Sequence, residues 1–171
     1  QGNGRLLPAG PLREPLSRLN TVDAILASNI GIEQLSGALN MPSQNNWHAV
    51  CVLLQGFRHL QTGQFMSTGQ ATEHWKGKPL LAFTGIANPE KLFKAIRIAG
   101  IELQETRGLP DHYSYPIDFC AQFDQPILIT SGKDAVKLNA SNPKVWVAEI
   151  KVELPPALTQ ALEDCIGSTI D

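Results

Sequence analysis

The sequence predicts an α/β fold in which helices cover both faces of a sheet, a three-layer α/β/α arrangement. Two observations lead there. Short runs of almost unbroken apolar residues recur, as in Pro79-Leu80-Leu81-Ala82-Phe83-Thr84 and Pro126-Ile127-Leu128-Ile129-Thr130, which is the pattern of strands buried on both faces. Those runs alternate with stretches of helical period, the order that builds a sheet with crossover helices.

The elements follow in order. The chain opens at Gln1 on a Gly/Pro-rich loop with no initiator methionine. A loop of that kind joins two elements, so a preceding segment is expected. Residues 21–27 read as a short apolar strand, residues 37–46 as a polar stretch and residues 47–54 as a second β-rich run. Residues 55–78, rich in Gly, Gln and Thr, suggest an irregular or hairpin segment. Residues 79–84 then form a buried strand ending at Gly85. Asn88 can cap a helix, with Pro89 at its first position and Glu90 in the positive first turn. Leu92, Phe93, Ile96 and Ala99 share one face of that helix, and Gly100 stops it. Residues 101–105 restart a strand, completing a β-loop-α-β unit. Residues 126–130 are a further central strand and 145–152 a late one. Residues 155–166 form a terminal helix with Leu158, Ala161, Leu162 and Cys165 inward. No internal repeat, low-complexity tract or coiled coil is present.

The 171 residues suffice for one domain with a real core, and the 43% hydrophobic share is ordinary for a globular chain. A net charge of −2 with no basic stripe gives no sign of a nucleic-acid partner. Cys51, Cys120 and Cys165 form no C-x-x-C pair, so buried thiols in a reducing compartment are expected. No signal peptide opens the chain, and no apolar run approaches the roughly 20 residues needed to cross a bilayer. A soluble protein is expected, although one able to work against a membrane.

Three polar segments are candidates for chemistry. Arg13-Glu14 lies between Pro11 and Pro15, so a stiff backbone presents a cation beside a carboxylate, which could grip a phosphate or hydrated Mg²⁺. An exposed charged pair is the plainer reading. Asp111-His112 is a carboxylate-imidazole pair in a loop after a strand, where open α/β sheets place their active sites. The plainer reading is a loop histidine beside a turn aspartate. Ser131-Gly132-Lys133-Asp134 follows a buried strand and could draw an anion. It departs from the phosphate-loop pattern, with Ile127 where a Gly and Asp134 where a Ser or Thr is required. His48, His59 and His74 lack metal-ligand spacing, and no Ser sits in a G-x-S-x-G elbow. Trp47, Trp75 and Trp146 are expected in or against the core.

Together these segments resemble the tetraacyldisaccharide 4′-kinase family of lipid A biosynthesis. Gly2-Asn3-Gly4-Arg5-Leu6-Leu7-Pro8-Ala9-Gly10-Pro11-Leu12-Arg13-Glu14-Pro15 resembles the family's G-N-G-x-L-L-P-A-G-P-L-R-E-P. Residues 82–90 are similar to its A-x-x-G-I-G-N-P-E, with Ala87 in place of a Gly. Leu109-Pro110-Asp111-His112-Tyr113 is similar to F-P-D-H-H, and residues 130–137 to M-T-E-K-D-A-V-K, with Gly132 where the family has Glu. The resemblance implies a P-loop-NTPase-like sheet and ATP-dependent, Mg²⁺-assisted phosphorylation of the 4′-hydroxyl of tetraacyldisaccharide 1-phosphate, a glycolipid. It implies work at the cytoplasmic face of the bacterial inner membrane. It would place Arg13 and Glu14 near nucleotide, metal or phosphate, His112 beside a catalytic aspartate with Asp111 supporting it, and Lys133 and Asp134 in the site wall. It further implies that residues 1–30 end a nucleotide-binding lobe, with 31–171 the remainder including a smaller C-terminal lobe. The family's Walker A loop, catalytic aspartate, metal-binding Asp-Asp pair and membrane-associating segment are all expected upstream of Gln1. The 171 residues alone are therefore expected to be inactive. The alternative is a non-catalytic α/β remnant acting as a binding module, which Ala87, Tyr113 and Gly132 favour and the intact Arg13-Glu14 and Asp111-His112 oppose.

Overall fold

Apolar strands organise the computed structural model, which describes residues 3–28 and 47–167. Two units are distinguished, one of Gln1–Val52 with Val152–Asp171 and one of Leu53–Lys151. In the second unit the strands lie in the order β2 (Trp47–His59), β7 (Val145–Glu153), β6 (Ile127–Ser131), β4 (Leu80–Thr84), β5 (Glu105–Gly108). Strands β7, β6, β4 and β5 are mutually parallel, and the short β3 (Phe65–Ser67) pairs antiparallel with β2.

All five residues of β4 are buried because both faces of the sheet are covered. Leu80 and Ala82 face one core with Ile127 and Ile129 of β6, while Leu81 and Phe83 face the other with Leu128. Helices α1 (Thr68–Trp75) and α2 (Pro89–Ile98) cover the first face, through Ala71 and Trp75 and through Leu92, Phe93 and Ile96. The second face is covered by the 3-10 turn Phe119–Gln122 and its neighbours, an aromatic layer of Phe119, Phe123, Tyr113 and Tyr115. The Phe83–Phe119 and Tyr115–Phe119 rings meet at 5.2 and 4.9 Å.

The β4-α2-β5 unit matches its sequence pattern, with Leu81 in register with Glu105. Asn88 occupies the cap position without a side-chain cap bond, and Gly100, at φ 84°, turns the chain out of the helix as an L side chain would resist doing. Strand β5 starts at Glu105, later than the expected 101–105. Ile101 is instead buried against α2's core, and residues 101–104 span the gap between layers.

Segment 55–78 is more regular than expected. Strand β2 runs on to His59, a hairpin leads to β3, and α1 follows. The hairpin agrees with expectation, whereas the helix was hidden by Gly, Gln and Thr. Its start is a capping box: the Ser67 hydroxyl accepts from the Gln70 N–H at 3.3 Å and the Ser67 N–H donates to Gln70 Oε1 at 2.9 Å. Trp75 is buried and Trp146 partly so, 5.3 Å apart, and Trp47 is buried in the first unit.

In that first unit, β1 (Ile25–Ser28) pairs in parallel with the start of β2, Ile25 opposite Trp47. The expected strand at 21–27 begins later, at Ile25, and runs to Ser28, while Thr21 closes a 3-10 turn over Leu16–Thr21. The Gly/Pro-rich loop folds on itself. The Leu7 N–H donates to Leu12 O at 2.8 Å, the Gly10 N–H to Leu6 O at 2.9 Å, and the Asn3 amide to Ala9 O at 2.8 Å. Helix α4 (Pro156–Gly167) buries Leu158, but Leu162 is 45% exposed, contrary to the inward face expected. The side chains of Ala161 and Cys165, the residues 37–46 and Gly2 lie outside the described residues. Cys51 is exposed and only Cys120 is a buried thiol among the described residues, which corrects the expectation of uniformly buried cysteines. Cys51 alternates outward along β2 with Val50 buried beside it.

Candidate functional site

Because β4, β5 and β6 run parallel, the segments that follow them emerge at one edge of the sheet. These are Gly85 after β4, Leu109–Tyr113 after β5, and α3 (Gly132–Ala135) after β6. The chain passes from β4 to β5 on one side and returns to β6 on the other. That is a topological switch point, where open α/β sheets hold ligands. The sequence segments at 82–90, 109–113 and 130–137 are thus brought together.

Gly85 is the point of closest approach. A Cβ there would lie 3.0 Å from the Pro110 carbonyl oxygen and 3.4 Å from both Asp134 Oδ1 and Tyr113 Cβ. Only a residue without a side chain lets the three segments meet at this spacing.

Asp134 is 1% exposed, an unusual environment for a carboxylate. Its Oδ2 accepts from Thr84 Oγ1 at 2.6 Å, Ser131 Oγ at 2.7 Å and the Gly85 N–H at 3.0 Å. Its Oδ1 is buried without a hydrogen bond, with the Lys137 ammonium 4.0 Å away. The buried Tyr115 hydroxyl approaches the same carboxylate without completing a well-formed bond. Burial by itself would raise the Asp134 carboxyl, but donation from Thr84, Ser131 and Gly85, with the Tyr115 hydroxyl nearby, outweighs it and holds the group below the ordinary carboxylate range. Burial, and then the Asp134 charge, push the Tyr115 phenol well above its usual range.

Asp111 and His112 stand on the exposed rim of this cluster. Their side chains lie 3.8 Å apart, His112 Nε2 to Asp111 Oδ2, with the His112 side chain 91% exposed. His112 has φ 59°, and it is the non-glycine residue with positive φ among the described residues. Such left-handed backbone is costly and clusters at working loops. The loop is pinned locally by the His112 N–H to Asp111 Oδ1 at 3.1 Å and the Tyr113 N–H to Pro110 O at 3.1 Å.

Lys133 is exposed beside the buried Asp134, so the two neighbours have different environments. Arg13 and Glu14 lie in the other unit, both exposed, where Glu14 pairs with Arg18 at 3.2 Å. Two cavities lie elsewhere. One of about 470 Å³ lies between the ends of α1 and α2, lined by Thr72, Trp75, Lys76, Lys78, Gly100 and Glu102, and another of about 420 Å³ lies beside Phe65 and His74. Neither includes a motif residue, so volume does not locate the candidate site; the convergence at Gly85 does. Sequence reasoning passed over Thr84 and Tyr115. A usable signal was Ser131-x-x-Asp134, the spacing of a capping box, and the Ser131 hydroxyl indeed accepts from the Asp134 N–H at 3.3 Å.

Comparison with known proteins agrees with this architecture. The family profile described as tetraacyldisaccharide-1-P 4′-kinase matches residues 1–167. The tetraacyldisaccharide 4′-kinase of Bordetella petrii is 38% identical over 167 residues, 95% of this chain and 46% of that protein. That of Nitrosococcus oceani is 36% identical over 155 residues, 90% of this chain and 41% of that protein. The chain therefore spans less than half the length of the curated relatives it matches. The crystal structure of LpxK from Aquifex aeolicus in complex with ATP superposes with a TM-score of 0.70 at 24% identity, over 97% of this chain and 48% of that one, a likeness of fold.

Proposed function

Since the chain belongs to the tetraacyldisaccharide-1-P 4′-kinase family, we propose that it forms the carboxyl-terminal part of an ATP-dependent kinase that phosphorylates the 4′-hydroxyl of tetraacyldisaccharide 1-phosphate. The observation that supports this reading is the meeting of three family-like segments around Gly85, at the carboxyl ends of β4, β5 and β6. Phosphoryl transfer asks a protein mainly for positioning and charge stabilisation. An exposed imidazole beside a carboxylate, on a loop in restrained backbone, suits positioning.

In this reading His112, steadied by Asp111, orients the group that handles the acceptor hydroxyl's proton. Lys133 adds positive charge at the rim, and Arg13 with Glu14 serve the nucleotide side. Among the described residues no group of three or more His, Cys, Asp and Glu side chains is arranged as metal ligands. Asp134, the buried carboxylate, already accepts three protein donors with one oxygen. The residues described do not fit a Mg²⁺ site. A G-x-x-x-x-G-K-[ST] loop does not occur in the 171 residues, and in this reading the chain alone is inactive. No described helix is long and apolar enough to cross a membrane. The acceptor is a glycolipid, so action at the cytoplasmic face of the inner membrane belongs to the same proposal.

The test is a chimera in which this chain replaces the matching carboxyl-terminal part of the Bordetella petrii protein, assayed with ATP and tetraacyldisaccharide 1-phosphate. Phosphorylated product that is lost on His112→Ala supports the reading. A chimera that unfolds cooperatively yet makes no product refutes it and favours a non-catalytic binding module.

A further inference from the structure

A left-handed backbone at a histidine persists only where its surroundings over-determine it. The two hydrogen bonds inside the His112 loop are short-range and exposed, so something deeper must hold the loop down. Three contacts reach inward. The Leu109 N–H donates to Thr84 O at 2.9 Å, tying the loop's start to the end of β4. The Pro110 carbonyl and Tyr113 Cβ close over Gly85, 3.0 and 3.4 Å from where a Cβ on it would stand. Tyr113 also packs edge-on against Tyr115 at 5.1 Å, with the Lys137 ammonium 6.0 Å over the Tyr115 ring. Asp134 meets the same glycine, gripping both the Gly85 N–H and the Thr84 hydroxyl. Tyr113 also rests on Phe119 of the second-face core at 5.8 Å, but the other inward supports lead, in one step, to the surroundings of this carboxylate.

We infer that Asp134 is a positioning residue, its buried carboxylate acting through Gly85 and beside Tyr115 as a latch that fixes the Asp111–His112 loop. It touches neither substrate nor nucleotide in this role; the charge is spent on holding protein donors. The meaning of this latch for phosphoryl transfer rests on the proposed function.

Amide hydrogen exchange on the whole 171-residue chain tests the latch. In Asp134→Ala the amides of Gly85 and Tyr113 are expected to exchange about tenfold faster or more, while those of Phe93 and Ile96 in α2 keep their relative protection. Asp134→Asn, which retains an acceptor oxygen, should recover much of the protection. Tyr115→Leu, which removes the ring that Tyr113 packs against, should loosen Tyr113 while leaving Gly85 bonded, and it keeps the test open if the alanine variant fails to fold. Unchanged exchange at Gly85 and Tyr113, or uniform acceleration across α2 as well, overturns the latch. In the chimera, a loosened loop should lower kcat about tenfold with KM for ATP unchanged, since misplacement costs rate more than ground-state binding. Faster exchange with an unaltered kcat overturns the positioning role in transfer. An inactive parent chimera counts against the proposed function, and the exchange result still decides the latch.

Discussion

Replacing Asp134 with alanine removes an oxygen that three donors share, at 2.6, 2.7 and 3.0 Å. Each buried donor left unmet costs about 1–3 kcal/mol, which bounds the loss from above. Two effects reduce it. A water can occupy part of the polar hole, and the variant no longer buries a charge. A net loss of about 3–5 kcal/mol is expected, as for other broken buried charge networks, and it is a large share of a typical domain's ~5–15 kcal/mol. Asp134→Asn keeps one acceptor but loses charge assistance, so about 1–2 kcal/mol is expected. Urea titration reads both: with a slope of about 1–3 kcal/mol/M, the alanine midpoint falls by roughly 1–5 M. The pH dependence checks the cause. The folded carboxyl lies below its ordinary 3.8, so its contribution is fully present above that value and is lost as pH falls through the lower folded value. The gap between wild type and Asp134→Asn should be constant from neutrality down to about pH 5 and shrink only below 3.8. An alanine variant within about 1 kcal/mol of wild type, measured at an unchanged slope, would refute the account of Asp134.

Other substitutions probe the same geometry. Gly85→Ala places a methyl 3.0 Å from Pro110 O; the loop must yield, and a loss of about 1–3 kcal/mol is expected in the same urea assay. His112→Gly relieves the backbone at φ 59°, so the melting temperature should hold or rise by the equivalent of about 1 kcal/mol while any transfer activity falls. Thiol labelling at pH 8, mapped by peptide mass, should modify the exposed Cys51 quickly. Cys120, whose thiol burial pushes up to about 11, should react slowly until the chain unfolds.

Local chemistry determined a good deal without the tertiary structure. The run Leu80-Leu81-Ala82-Phe83 announces a strand covered on both faces, because nothing polar interrupts it to meet solvent. Leu92, Phe93 and Ile96 at helical spacing, between Pro89 and Gly100, announce α2 and its buried side, since both signals lie within one element. Helix α1 was equally local, written in Ser67 and Gln70, but a capping box is a two-residue signal among residues that favour loops. Leu162 shows the limit of periodicity: a helical stripe names a face, and only the neighbours decide whether that face is covered. Tertiary structure alone decided what Asp134 does. In sequence it stands in an exposed-looking polar turn beside Lys133, and the residues that bury and bond it, Thr84 and Gly85, lie 50 and 49 positions away. A carboxylate's burial depends on donors that converge from separate strands, and their convergence follows from the parallel register of β4 and β6, which no local pattern encodes.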